Sequence, residues 1–138
     1  MGMTVRSRMW APMTGLLAGC APNAAEQRGL RPGDTQVVAQ WVMTSDRTGP
    51  YFAAESQIAK ASEGLYFEDG NDVGGGYFNV YLYTDHVPET VAHLIDMERA
   101  GKVPRNLRIG VAVYKGGDRS DWTYRPAHPA TLTLFGVF

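Results

Sequence analysis

The strongest constraint on the fold is a segment of alternating character, residues 77–83 (YFNVYLY). Successive side chains of a β-strand point to opposite faces of a sheet. Phe78, Val80 and Leu82 would therefore enter a hydrophobic core. The opposite face would carry a row of mostly tyrosine side chains, namely Tyr77, Asn79, Tyr81 and Tyr83. The segment predicts a strand that lies between a core and a second, partly polar surface.

Weaker patterns on both sides of this segment complete the predicted element order. Further strands are expected at 35–44, 65–68, 107–114 and 130–137, where β-branched and aromatic residues concentrate or alternate. Apolar spacing predicts a helix over 50–63 with Thr48 as its N-cap. It predicts a second helix that is capped by Asp85 and stopped by Gly101. The glycine-rich stretch 69–76 is expected to be a turn.

The resulting order, β-α-β-β-α-β with an extra C-terminal strand, predicts an α+β fold of the ferredoxin-like type. In that arrangement both helices cover one face of an antiparallel sheet. The tyrosine-rich row would then lie on the helix-free face, where Arg108 and Tyr114 of the fourth strand would join it. A fold of this kind does not by itself specify a function.

The helix-free face is the main candidate site, and three interpretations of it stay open. The segment 118–138 could fold back over it, two copies of the chain could pair through it as a homodimer, or it could bind a small ligand or a protein partner. Tyrosine combines a large apolar body with a polar tip and suits surfaces that are buried on binding. The predicted binding residues are Tyr77, Asn79, Tyr81, Tyr83, Arg108 and Tyr114.

RNA binding is excluded on sequence and charge. RNA-recognition strands place a basic residue and Gly before an aromatic residue, Gly or Ala, and a second aromatic residue. The run 76–80 (GYFNV) has no basic residue and carries Asn79 where an aromatic residue is needed. The chain carries 13 Lys and Arg against 14 Asp and Glu, and residues 34–138 have a net charge of -4. Such a balance does not favour nucleic acid as a partner.

Residues 1–33 are predicted to be a leader or flexible segment, with residues after the signal acting as a tether, and residues 34–138 are predicted to form a single folded domain. A basic start precedes the uncharged stretch 9–19 and the only cysteine of the chain, Cys20. Residues 17–20 (LAGC) resemble the lipobox of bacterial lipoproteins. The resemblance implies a signal over 1–19, lipidation of Cys20 and a location at the cell envelope. A start codon placed too far upstream is the alternative, and the protein would then be cytoplasmic.

Other candidate chemistry is weak. One cysteine excludes an internal disulfide framework, and no stretch has the length of a membrane-spanning helix. Glu89, His93 and Asp96 are spaced to share a helix face, but such a set is more often solvated than metal-bound. No metal or cofactor is predicted. The stretch after Asp69 lacks the acidic residue that an EF-hand loop requires at its twelfth position.

The sequence therefore predicts a non-catalytic binding or protein-interaction module. Two alternatives remain. One is a small cofactor-independent oxygenase or isomerase of the dimeric ferredoxin-like type, acting through His86, His93 or Arg125 in a pocket between helices and sheet. The other is a cytoplasmic partner protein that neutralises a toxin. No grouping of nucleophile, base and orienting residue is recognisable in the sequence.

Overall fold

The computed structural model of the protein describes residues 28–114 and 122–137. These residues form five strands and two helices. In chain order the elements are β1 (Thr35–Val42), α1 (Gly49–Lys60), β2 (Phe67–Gly74), β3 (Tyr77–Thr84), α2 (Val87–Arg99), β4 (Arg108–Val113) and β5 (Thr123–His128). The strands form one sheet in the order β2-β3-β1-β4-β5, and all neighbouring strands are antiparallel. The predicted α+β class is confirmed.

The hydrophobic core lies between the helices and one face of this sheet. Alternate residues of three strands supply its sheet side: Val37, Ala39 and Trp41 from β1; Phe78, Val80 and Leu82 from β3; Ile109 and Val111 from β4. Ala54 and Ile58 of α1 and Leu94 and Met97 of α2 close it from the helical side. The two-residue period predicted for strands 3 and 4 is therefore correct, and it assigns each side chain to a face.

Both helices lie within three residues of their predicted bounds, but their capping differs from the prediction. Thr48 occupies the N-cap of α1 without making a side-chain capping bond. His86, not Asp85, occupies the N-cap of α2. The hydroxyl of Thr84 accepts a hydrogen bond from the His86 backbone N–H at 2.8 Å and another from the Thr90 hydroxyl at 3.0 Å. A buried threonine pair therefore fixes the start of α2.

The predicted turn over 69–76 is wrong for most of its length. Strand β2 continues to Gly74, and only Gly75 and Gly76 form the turn, with φ angles of 60° and 84°. The strand contains an irregularity between Glu68 and Asn71, where Gly70 has a φ of 99°. A glycine in the left-handed region lets the strand add residues and then resume pairing with β3.

The predicted strand at 130–137 is also wrong, since the fifth strand is Thr123–His128. Pro126 within residues 123–128 and Pro129 directly after them made this stretch resemble a loop. Pro126 is tolerated because β5 is an edge strand and because the pairing with β4 shifts register between Ile109 and Gly110. Residues 132–137 belong to neither a helix nor a strand.

The described part of the chain begins with a buried ion pair. Arg28 is only 3% exposed, although it lies in the segment 1–33 that was predicted to be flexible. Its two terminal nitrogens donate to the carboxylate of Asp34 at 2.8 and 3.3 Å. Burial acts to raise the pKa of Asp34, but the hydrogen bonds from Arg28 and from the Arg31 backbone N–H, with the positive charge of Arg28, outweigh it and lower that pKa. Cys20 and the lipobox lie outside the described residues.

Within the residues that the structure describes, no helix has both the length and the apolar character needed to cross a membrane.

Candidate binding face of the sheet

The predicted tyrosine-rich row lies on the side of the sheet away from both helices. Tyr77, Asn79, Tyr81 and Tyr83 occupy alternate positions of β3, and none belongs to the core cluster beneath the helices. The strand registers extend this alternation into cross-strand rows on β1 and β4. We call this surface the helix-free face.

One of these rows is polar across four neighbouring strands. Asp72 of β2 lies opposite Asn79 of β3, Asn79 lies opposite Gln40 of β1, and Gln40 lies opposite Arg108 of β4. We call these four residues the polar row. A carboxylate lies at one end and a guanidinium at the other, with two carboxamides between them. Gln40 and Asn79 are both 0% exposed, so carboxamides occupy a position where strands usually carry apolar groups.

The buried carboxamides of the polar row are only partly paired. Gln40 Nε2 donates to Asn79 Oδ1 at 2.9 Å and to the Gly136 carbonyl at 2.8 Å. Gln40 Oε1, Asn79 Nδ2 and Arg108 Nε are buried without a hydrogen-bond partner among the described residues. Rotating both amides would keep the Gln40–Asn79 bond but turn the Gln40 oxygen toward the Gly136 carbonyl. No choice of amide orientation therefore satisfies both groups.

A second row holds hydroxyl groups around another buried carboxamide. Gln36 Nε2 donates to the Tyr83 hydroxyl oxygen at 3.0 Å, and the Tyr124 hydroxyl donates to Gln36 Oε1. The Gln36 backbone N–H donates to the Tyr114 hydroxyl oxygen at 2.9 Å. In contrast to Gln40, both polar atoms of the Gln36 side-chain amide form hydrogen bonds. This part of the helix-free face is a completed hydrogen-bond network.

The segment 130–137 crosses the helix-free face and covers part of it. Phe135 is 8% exposed, and its ring lies over Gly110 of β4. A Cβ at position 110 would lie 2.6 Å from the ring's Cγ, so only glycine leaves room for the ring. The Tyr124 ring centre is 5.6 Å from that of Phe135, and Arg108 Cζ lies 5.9 Å from it. The fold-back interpretation therefore applies to residues 130–137, whereas residues 123–128 join the sheet as β5, and residues 118–121 and 138 lie outside the described part of the chain.

The six predicted binding residues differ in accessibility. Asn79 and Tyr83 are buried, Tyr77, Tyr81 and Arg108 are half-buried, and Tyr114 is 42% exposed. Arg108 Cζ lies 5.4 Å from the centre of the Tyr77 ring, so both ends of the polar row adjoin an aromatic residue. Their role in binding stays a prediction.

At the acidic end of the polar row, the Tyr81 hydroxyl donates to Asp72 Oδ2 at 3.4 Å. Burial of the phenol raises the pKa of Tyr81, and the negative charge of Asp72 raises it further. Tyr81 is therefore a neutral hydrogen-bonding group at physiological pH.

Sequence reasoning missed five residues of this face: Gln36, Gln40, Asp72, Tyr124 and Phe135. A signal for two of them was available. Gln36 and Gln40 share one face of a strand that is otherwise apolar over 37–42 (VVAQWV). Carboxamides at such positions indicate a buried polar layer rather than a plain core. Tyr124 and Phe135 were missed because strand β5 was placed in the wrong segment.

A separate cleft of about 610 Å³ opens near the C-terminal end of α2. His128 Nε2 lies 3.0 Å from Glu98 Oε1, and Glu98 Oε2 accepts the Leu107 backbone N–H at 2.8 Å. Arg99 and Arg105 also line the cleft, but no cysteine, serine or threonine does. The pair joins α2 to the α2–β4 loop and to β5, and we assign it a structural role.

The three residues of the enzymatic alternative are not brought together. His86 is exposed beside Asp85, and Arg125 is exposed on the edge strand β5. His93 contacts the Tyr66 ring, with 5.7 Å between ring centres. Neither the cleft of about 610 Å³ nor a second one of about 450 Å³, which Trp41 and Tyr51 line, contains any of them. Glu89, His93 and Asp96 likewise form no group able to hold a metal ion within the described part of the chain.

An acidic group lies on the helical side of β2. Asn71 Nδ2 donates to Glu55 Oε1 of α1 at 2.8 Å, and the Gly70 backbone N–H donates to Glu68. Burial, together with the hydrogen bond and negative charge of Glu55, raises the pKa of Glu68 to about 7. The group affects stability, as discussed below, and nothing about it indicates a ligand.

Comparison with known proteins adds no identity, because no family model, curated protein or solved structure matches this chain.

Proposed function

We propose that the protein is a non-catalytic binding module and that the helix-free face, around the polar row, is its binding site. The observation that carries this proposal is the set of three buried, unpaired polar atoms on Gln40, Asn79 and Arg108. Buried polar groups are nearly always paired, because an unpaired one costs about 1–3 kcal/mol. Three such unpaired atoms on adjacent strands favour a surface whose hydrogen bonds are completed by a binding partner.

The scaffold suits this role. We propose that the segment from β1 to β4 is a ferredoxin-like unit with β5 added at one edge. The strand order β2-β3-β1-β4 and the common helical side support this, while the fifth strand makes the sheet differ from a simple four-stranded one. Because the helices cover the opposite side, the helix-free face is, within the described part of the chain, the broad sheet surface that a partner can reach where segment 130–137 does not cover it.

The chemistry of the face favours recognition over reaction. It offers carboxamides, tyrosine hydroxyls and aromatic rings, which orient and hold a partner through hydrogen bonds and contact area. It lacks a pair of side chains suited to nucleophilic attack and proton removal among the residues described above. A protein partner fits such a shallow surface better than a small molecule, which prefers a concave pocket.

Selection from a random peptide display library, with the full chain as bait, tests the proposal. Binding should be lost in Val42→Asp, since Val42 is 48% exposed and lies opposite Tyr77 on the helix-free face. The matched control is Val73→Asp. Val73 is 41% exposed and lies opposite the core residue Phe78, on the other side of the sheet.

Binders that tolerate Val42→Asp but not Val73→Asp would contradict the proposal, as would failure to select any binder. Sedimentation of the free protein addresses the homodimer alternative. If the free protein has twice the monomer mass and Val42→Asp has the mass of a monomer, the partner of this face is a second copy of the chain.

A further inference from the structure

We infer that the partner of the helix-free face is an extended peptide segment carrying an aromatic side chain. In the free protein, residues 130–137 of the same chain occupy the site where this segment binds. This inference rests on the proposed function and names the partner's chemistry. Its basis is how segment 130–137 contacts the face and which polar groups it leaves unsatisfied.

Segment 130–137 contacts the centre of the helix-free face through few groups. Phe135 is 8% exposed, whereas the preceding Leu134 is 79% exposed. Residues 132–137 form no regular element, and one side-chain hydrogen bond, from Gln40 to the Gly136 carbonyl, ties the segment to the polar row. One aromatic ring and one carbonyl therefore provide the described attachment to the centre of the face. A segment held in this way has a low cost of local opening compared with the sheet beneath it.

The slot for the aromatic ring belongs to the sheet and not to the segment. Gly110 forms its floor, and Arg108 and Tyr124 form two of its sides. All three are on paired strands, β4 and β5, so the slot persists when Phe135 leaves it. An aromatic ring from another chain would meet the same floor and the same cation–π contact with Arg108.

The polar groups beside the slot match an extended peptide backbone. Gln40 Oε1 is an unpaired acceptor and Asn79 Nδ2 is an unpaired donor, and the two residues are direct cross-strand neighbours. In an extended backbone the N–H and C=O of one residue point to the same side, so a segment lying along the polar row offers a donor to Gln40 Oε1 and an acceptor to Asn79 Nδ2. Segment 130–137 satisfies neither of them, although it supplies one carbonyl. It is therefore an incomplete occupant, and a better-matched segment from a partner should displace it.

Fluorescence anisotropy with a labelled peptide of residues 130–137 (ATLTLFGV) tests this inference. The peptide is titrated with the wild-type chain and with Phe135→Ala, which removes the competing ring. A segment docked in 90–99% of molecules lowers the apparent affinity for a competitor by about 10- to 100-fold. We expect Phe135→Ala to bind the peptide about 10- to 100-fold more tightly than the wild type does. A control peptide with alanine in place of its phenylalanine should not bind either protein.

Equal binding of the two peptides to Phe135→Ala, or no binding by a folded Phe135→Ala, would overturn the inference. If Phe135→Ala fails to fold, the side-chain amide resonances of Gln40 and Asn79 in the wild-type chain replace it as readout. They should shift when millimolar peptide is added, and an absence of shifts would count against the inference. Display-selected binders that require Val42 but are not displaced by the peptide would overturn this inference alone and leave the proposed function standing.

Discussion

The contact between Gly110 and Phe135 provides a quantitative test of how segment 130–137 is held. In Gly110→Ala the new Cβ would lie 2.5–2.6 Å from Cε1 and Cγ of the Phe135 ring, so the ring must move by about 1 Å or more to reach van der Waals distance. Forcing an extra methyl group into a packed site costs about 1–3 kcal/mol. In the Phe135→Ala background the obstacle is gone. There, Gly110→Ala should be neutral or stabilise by about 0.5 kcal/mol, since glycine weakens a strand interior.

The double-mutant cycle therefore predicts a coupling free energy of about 2 kcal/mol between positions 110 and 135. It is measured by urea unfolding of the wild type, both single variants and the double variant, followed by far-UV circular dichroism. Gly49→Ala is the matched control, because a Cβ there meets nothing within 4 Å, and its effect should be the same in both backgrounds. Additivity of Gly110→Ala and Phe135→Ala to within about 0.5 kcal/mol would refute the placement of the ring over Gly110.

Three further predictions concern other parts of the chain. Arg28→Ala should cost about 1–2 kcal/mol at pH 7, because Asp34 loses its cation but keeps the hydrogen bond from the Arg31 backbone N–H. Since folding lowers the pKa of Asp34, this cost should shrink in unfolding curves measured as the pH falls toward 3. A cost that is independent of pH would contradict the pairing. Glu68→Gln should stabilise by about 1 kcal/mol at pH 9, after allowance for solvent screening, and by nothing at pH 4. A pKa raised by folding to about 7 makes the native carboxyl progressively costly above its unfolded value of 4.5, so equal effects at both pH values would refute this. Intact mass of the natively expressed protein should show loss of residues 1–19 and lipid on Cys20 if the lipobox functions, and an unprocessed chain would contradict it.

Local sequence periodicity was sufficient to predict most of the fold. The alternation in 77–83 and 107–114 assigned each side chain to the helical or the helix-free side, because a residue's face depends only on its position along the strand. The apolar spacing within the helices predicted α1 and α2 to within three residues, and the element order indicated an α+β sheet.

The two wrong strand predictions concern segments that become strands because they pair with a neighbouring strand. Residues 67–74 (FEDGNDVG) have no alternation and several turn-forming residues, yet they form an edge strand because β3 offers them a regular partner. Residues 123–128 contain Pro126 and form a strand because β4 holds them. Pairing between distant residues overrides local propensity at sheet edges, and a single sequence does not show it.

Sequence reasoning predicted one part of the candidate site and missed another. Its orientation and its tyrosines followed from β3 alone. The roles of Gln40 and of the Phe135 ring over Gly110 did not follow from any strand alone. They depend on contacts between residues that are 96 and 25 positions apart in the chain. A glycine within a strand does signal close approach of another group, but not which group approaches.

The most direct test of the covered binding face is ¹⁹F NMR of the full chain with 4-fluorophenylalanine at position 135. A segment that opens should give a major resonance for the docked ring and a minor, solvent-like one of about 1–10%. The minor resonance should grow when unlabelled peptide of residues 130–137 is added. A single resonance that stays unchanged by the peptide up to the point of global unfolding would show that Phe135 is a fixed part of the fold, and it would contradict the account.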